Sequence, residues 1–240
     1  MTDIYAMKQI STIAFLTFYY FTIASVTFSQ AVSPDAYLGY NLGEKFTRHH
    51  KVVDYLEHVA KENPHFQLIE YGNTTENRPL LGLIMSSVMN MQNFDDILSE
   101  NFRRVNKGID SGERIPIIYL SYNVHGNEAV CTEAAMRTIG ELTNQRKDLL
   151  DNCIVIIDPC VNPDGRDRYV HFQDRTSGPT PNSSPAAWEH SEPWPGGRSN
   201  HYMFDMNRDL AWQTQKETKS KQIRDGLLFY YIKSLPFCRY

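Results

Sequence analysis

Ile115-Pro-Ile-Ile-Tyr-Leu-Ser-Tyr122 and Cys153-Ile-Val-Ile-Ile-Asp158 are the two stretches that decide the fold. Each is a short, nearly continuous apolar run rich in β-branched residues. That pattern predicts strands covered on both faces rather than strands with one wet side. Glu128 to Leu142, between them, predicts a helix. Strand, helix, strand in this order is a βαβ unit, which makes part of the sheet parallel. The fold class that follows is α/β, with a mixed, largely parallel central sheet flanked by helices.

Upstream, Phe66–Tyr71 and Leu80–Ser86 read as the arms of a hairpin around the turn formers Gly72-Asn-Thr-Thr-Glu-Asn-Arg-Pro79. Glu44 to Asn63 predicts a helix with Val52, Val53, Leu56, Val59 and Ala60 on one face, stopped by Pro64. Asn93 to Asn106 predicts another, and Tyr37 to Gly43 reads as loop. Gln173 to Asn200 is dense in Pro, Gly and Ser without periodicity, which predicts a long loop that shapes a site.

The N-terminus is of another kind. No charged residue occurs from Gln9 to Pro34, Lys8 precedes the apolar run, and small residues (Ser25, Thr27, Ser29, Ala31) follow it. This is the pattern of a secretory signal peptide over residues 1–30, preferred to an uncleaved anchor because of the small-residue exit. Met7 is the expected initiator, since Asp3 is out of place ahead of such a segment. The mature protein is then secreted or periplasmic, with no stable membrane partner. Cys131, Cys153, Cys160 and Cys238 form no zinc-ribbon or CxxC spacing, and the first two read as buried small hydrophobes. Asn73 and Asn182 open glycosylation sequons. A formal net charge of −4 over 240 residues gives no footprint for nucleic acid.

Three constellations carry chemistry. His125-Gly-Asn-Glu128 follows the first strand directly. Ligands of open α/β sheets bind beyond the C-terminal strand ends. At this spacing an imidazole nitrogen and a carboxylate oxygen can converge on one ion, with Gly126 allowing the sharp turn between them. The plainer alternative is a solvent-facing turn whose glutamate favours the helix dipole. Asp158-Pro-Cys-Val-Asn-Pro-Asp-Gly-Arg166 follows the second strand and reaches the same sheet edge, although Asn-Pro-Asp-Gly is also ordinary turn chemistry. Phe204-Asp-Met-Asn-Arg-Asp-Leu210 has the spacing of a calcium loop, but Leu210 stands where that loop needs glycine. Asn207 and Arg208 are better read as a donor pair for a carboxylate, against the plainer ion pair of Arg208 with Asp205 or Asp209.

Taken in order, His-x-x-Glu, Asn-Pro-Asp-Gly and Asp-x-Asn-Arg, preceded by the Gly72-x-Thr-x-Glu-x-Arg-Pro-Leu80 hairpin, resemble the zinc carboxypeptidases of the carboxypeptidase A type. The resemblance covers roughly Tyr37 to Thr218 and implies a partial catalytic domain over residues 31–219. It implies a zinc ion held by His125 and Glu128. It implies that Asn207 and Arg208 grip the C-terminal carboxylate of a peptide or protein substrate. Arg175, or alternatively Arg166, would polarise the scissile carbonyl. Asn127 would make a secondary substrate contact where the family often has arginine. In such enzymes a third zinc ligand, a histidine, and a general-base glutamate come later in the chain. Zinc lowers the pKa of a bound water to about 7, and arginine and metal stabilise the developing oxyanion.

Both later residues would fall beyond Tyr240, and residues 220–240 depart from the family pattern. The expectation is therefore a truncated or frameshifted product. Its zinc affinity would be poor unless His171, His190 or His201 substitutes, and its peptidase activity negligible. Two other functions stay open: a zinc amidohydrolase that deacylates N-acyl amino acids, and a non-catalytic peptide-binding remnant that keeps Arg208.

Overall fold

A computed structural model describes residues 31–108, 115–180 and 182–220. The signal-peptide segment with Met7, residue Cys238 and the tail from 221 lie outside the described residues. The elements in chain order are α1 (Pro34–Leu38), α2 (His49–Glu62), β1 (Gln67–Asn73), β2 (Pro79–Met85), α3 (Val88–Gln92), α4 (Phe94–Lys107), β3 (Ile117–Ser121), α5 (Val130–Asn144), β4 (Ile154–Asp158), α6 (Pro163–Thr176) and α7 (Met206–Asp209). No helix among the described residues is long and apolar enough to cross a membrane.

The four strands form one mixed sheet in the order β1-β2-β4-β3. β1 and β2 are the antiparallel hairpin, β2 and β4 pair antiparallel, and β3 and β4 pair in parallel. β4 is buried along its whole length, as its apolar run predicts. β3 is not covered on both faces: Ile118 is 41% and Tyr119 37% exposed. Among the described strands β3 pairs with β4 alone, so it forms an edge.

Helices cover both faces of the sheet. Val52, Leu56 and Val59 of α2 and Ala135, Met136 and Ile139 of α5 pack with Leu83, Met85, Val155 and Ile157 on one face. Ile84, Ile154 and Ile156 meet Phe94 and Ile97 of α4 on the other. α2 starts at His49 rather than Glu44, and α1 occupies part of the stretch read as loop. Cys131, Cys153 and Cys160 are free thiols.

α6 is the main departure from the sequence expectation. Asn162-Pro-Asp-Gly is not a turn but the start of a fourteen-residue helix. The Asn162 side chain caps it by accepting from the Gly165 amide at 3.0 Å, and Pro163 sits in the first turn, where its missing N–H costs nothing. The loop read from Gln173 therefore begins at Ser177.

The hairpin turn docks on α6 through charge. The Arg78 guanidinium reaches Asp164 Oδ1 at 2.8 Å and Asp167 Oδ2 at 2.8 Å, and the Thr74 hydroxyl donates to Asp164 Oδ1 at 2.7 Å. The Gly-x-Thr-x-Glu-x-Arg-Pro pattern thus holds the hairpin against the helix that follows β4.

His49 belongs to the same junction. Its backbone N–H donates to Asp167 Oδ1 at 2.9 Å, and its ring Nε2 lies 2.9 Å from the Pro79 carbonyl. A carbonyl only accepts, so Nε2 carries the proton in this arrangement. Burial holds the ring pKa down to about 4. The unfolded chain takes up this proton near pH 6.5, whereas the folded chain does so only near pH 4. Stability from His49 is therefore full above about pH 6.5 and is lost progressively as the pH falls toward 4. His49→Gln should shrink the difference in urea midpoint between pH 7 and pH 4.5 relative to the unmodified chain. An unchanged difference would show that other groups set the acid sensitivity.

Candidate metal and substrate site

The site lies beyond the C-terminal ends of β3 and β4, where two loops interlock. Asn123 takes positive φ (55°) just past β3, a conformation that asparagine adopts more readily than most residues. Its side-chain amide donates to the carbonyls of His125 at 2.7 Å and Glu128 at 3.0 Å, which pins the turn between them. Its own carbonyl accepts from the Asn162 amide at 3.2 Å and so joins the two loops. Gly126 packs so closely that a side-chain methyl there would overlap the backbone of Gly165, Arg166 and Gly197.

This turn brings His125 Nδ1 to 3.1 Å from Glu128 Oε1. On the other side of the ring, Nε2 lies 2.9 Å from Asp205 Oδ1. With a metal ion on Nδ1, the ring proton sits on Nε2 and is donated to Asp205, while the Nδ1 lone pair faces Glu128. A lone pair and a carboxylate oxygen this close attract one another only through a cation between them, whether a proton or a metal ion. Two ligands of a tetrahedral zinc, each about 2.0–2.1 Å from the ion, stand about 3.3 Å apart. The observed pair is close to that separation. The donor set and its carboxylate–imidazole backing therefore fit zinc.

Asp205 has a second task. Its Oδ1 also accepts from the Asn207 amide at 3.0 Å and caps α7, which carries Asn207 and Arg208. Its Oδ2 takes the Arg198 guanidinium, with Nη2 at 2.9 Å and Nε at 3.3 Å. Burial alone would raise the Asp205 carboxyl, but the bonds from His125 and Arg198 prevail and hold it below its ordinary value. Asp205 and Arg198 were not singled out for the site from sequence.

Asn207 and Arg208 are exposed, and no described residue makes a side-chain hydrogen bond or ion pair with Arg208. The ion pair with Asp205 or Asp209 does not form. Asp209 instead accepts from Thr214 and Thr218, and these bonds outweigh its burial and hold its carboxyl down to about 2. Asn127 donates to Glu192 Oε2 at 3.1 Å.

The two arginines proposed for the carbonyl are placed differently. Arg166 is fully buried and spends its guanidinium on Thr47 O, Ala129 O and Glu133 Oε1, at 2.6–3.0 Å. At 0% exposure it is out of reach of a substrate, which corrects that alternative. Arg175 is exposed near the C-terminal end of α6, about 15 Å along the helix axis from Gly165. The structure does not bring it to the His125–Glu128 pair. Arg198, through Asp205, is the cation beside that pair.

None of the three histidines considered as substitute ligands joins the pair. His201 Nδ1 lies 3.0 Å from Glu76 Oε1, His190 Nε2 lies 2.6 Å from the Asn182 carbonyl, and His171 lines a separate cavity. Glu76, Asp164 and His201 cluster closely enough to suggest a second ion site. The Arg78 guanidinium already contacts both Glu76 (2.5 Å) and Asp164 (2.8 Å) and supplies the positive charge there.

The zinc carboxypeptidase family model matches residues 52–226. The chain belongs to the zinc carboxypeptidase family. Among solved structures, carboxypeptidase A from Helicoverpa armigera is 19% identical, with a TM-score of 0.47 over 81% of this chain and 48% of its own. Bovine thrombin-activatable fibrinolysis inhibitor, in complex with tick carboxypeptidase inhibitor, is 16% identical, with a TM-score of 0.46 over 78% of this chain and 57% of its own. A metallo-carboxypeptidase from Burkholderia cenocepacia is 15% identical, with a TM-score of 0.44 over 74% and 37%. The chain thus spans about half the length of the first two of these structures or slightly more. No curated protein matches it in sequence.

Proposed function

We propose that this chain carries part of the site of an exported, zinc-dependent carboxypeptidase that removes C-terminal residues from peptides. The observation that supports it most is the convergence of His125 Nδ1 and Glu128 Oε1 at 3.1 Å, with Asp205 behind the ring. His125 and Glu128 would hold the zinc, which when bound supplies Lewis acidity and an activated water. The protein's own residues do the rest. Asp205 keeps the Nε2 proton in place and fixes the ring. Arg208, exposed at the end of α7, offers a planar fork to the terminal carboxylate of the substrate, and Asn207 adds an amide donor. Arg198, held beside His125, is the cation positioned to stabilise an oxyanion on the scissile carbonyl. Asn127 and Glu192 form the adjoining wall. Residues 1–30 would direct export.

Recognition of the chain end is testable by binding alone. A fluorescent peptide with a free C-terminus should bind more tightly than its C-terminal amide. Arg208→Ala should remove about 1.5 kcal/mol, roughly tenfold, from the free acid and leave the amide unchanged. Equal affinity for acid and amide in the unmodified chain would sink the reading.

A further inference from the structure

A cavity of about 560 Å³ lies beside the candidate site, between α6 and the loop carrying Pro193, Trp194 and Pro195. Arg48, Arg168 and Arg175 line it together with Phe172 and the 85% exposed Trp194. Glu192 forms part of the wall, and the same side chain accepts from Asn127, two residues past His125. The cavity and the His125–Glu128 turn are therefore one side chain apart.

Its charges do not cancel. Arg48 is neutralised by Asp174 at 2.7 Å. Glu192 accepts from Asn127 and the Gly197 amide, and its single charge cannot balance both Arg168 and Arg175. Arg168 spends its donors on the carbonyls of Gly196, Ser199 and Asn200, and its carboxylate contact is Glu76 at 3.9 Å. Arg175 donates only to the His171 carbonyl of its own helix, at 3.2 Å, and no carboxylate among the described residues pairs with it. The cavity thus holds positive charge in excess, against an aromatic and proline-lined wall.

We propose that this cavity is a subsite for an acidic side chain of the peptide, with Arg175 as its specificity-determining residue. The proposal rests on the carboxypeptidase reading. Arg208 takes the terminal carboxylate there, so the second anion is a Glu or Asp upstream of the chain end. The Arg175 fork pairs with that carboxylate, and the apolar wall receives its methylenes.

The test uses the full chain and dye-labelled peptides that differ only by Glu or Gln at successive upstream positions. Each is made as free acid and as C-terminal amide. At one position Glu should bind roughly tenfold tighter than Gln, and the preference should shrink as salt is raised. Arg175 is exposed, so Arg175→Ala and Arg175→Gln should fold. Both should abolish the Glu preference while keeping the preference for acid over amide. Equal binding of Glu and Gln peptides at every position overturns the proposal, as does a Glu preference that survives both variants. Inorganic phosphate alone, followed by Trp fluorescence, separates a peptide subsite from a plain anion site. Phosphate binding as tight as the Glu peptide would also overturn it. A Glu preference that depends on Arg175, with no preference for acid over amide, would keep the subsite and reject the carboxypeptidase reading instead.

Discussion

Glu133→Ala should cost about 3–5 kcal/mol of folding stability, a large part of what a domain of this size has to lose. The side chains of Glu133 and Arg166 are 4% and 0% exposed, and their contact is 2.6 Å. Glu133 also accepts from the Thr47 amide at 2.6 Å and the Thr47 hydroxyl at 2.9 Å. Removing it strands a guanidinium in the core and leaves a buried amide without its acceptor. Such a pair adds little net stability over an apolar core, yet breaking it from one side is costly. The two statements separate in a cycle. Glu133→Leu with Arg166→Met removes both charges and should recover part of the loss. Recovery should be incomplete, because Thr47 O and Ala129 O would then lose the donors that Arg166 gives them. Urea unfolding reads the change as a lower midpoint at unchanged slope. A loss below about 1 kcal/mol for Glu133→Ala would mean that water reaches Arg166 in solution. The pair also bears on the site. Ala129 follows Glu128 directly, so the Arg166–Ala129 bond ties the candidate ligand turn to α6.

That network explains which parts of the fold were legible in sequence. β4 is apolar because both its faces are covered, and composition shows it directly. α2 keeps its apolar stripe because its core face is greasy. α6 hides its period, because its buried face carries Asp164, Arg166 and Asp167, which pair with Arg78, Glu133 and backbone groups of other elements rather than packing as hydrocarbon. A hydrophobic pattern does not see a core face built from ion pairs. Without the helix, Arg175 reads as part of a loop free to reach the metal, and Arg166 as a cation near the site. The structure puts one at the far end of the helix and the other in the core. The site shows the same division. His125 and Glu128 are three residues apart, and their convergence is a local property that spacing reveals. Asp205 and Arg198 reach them from a segment far along the chain. Only the interlocked loops at Asn123, Asn162 and Gly197 make them neighbours. Arg198 sits in a Pro- and Gly-rich stretch without periodicity, so nothing local marked it.

Asp205→Ala should weaken metal binding by the chain about 10- to 100-fold, the usual cost of losing the carboxylate behind a ligating histidine. The loss has two sources. The ring of His125 is no longer held with its proton on Nε2, so part of the population presents a protonated Nδ1, which cannot ligate. The imidazole also becomes a poorer donor to the ion without a negative charge behind it. Asp205→Asn separates the two, because the amide oxygen can still accept from Nε2 and cap α7 but brings no charge. It should fall between the unmodified chain and the alanine variant. Competition with a chromophoric zinc chelator gives the affinities, and the ¹⁵N shifts of the His125 ring give the tautomer. In the alanine variant both should change, while loss of the cap should cost only about 1 kcal/mol of stability. If zinc affinity stays the same while the tautomer changes, His125 and Glu128 are not the ligands, and the His–Glu contact is a proton-bridged pair at the mouth of the sheet.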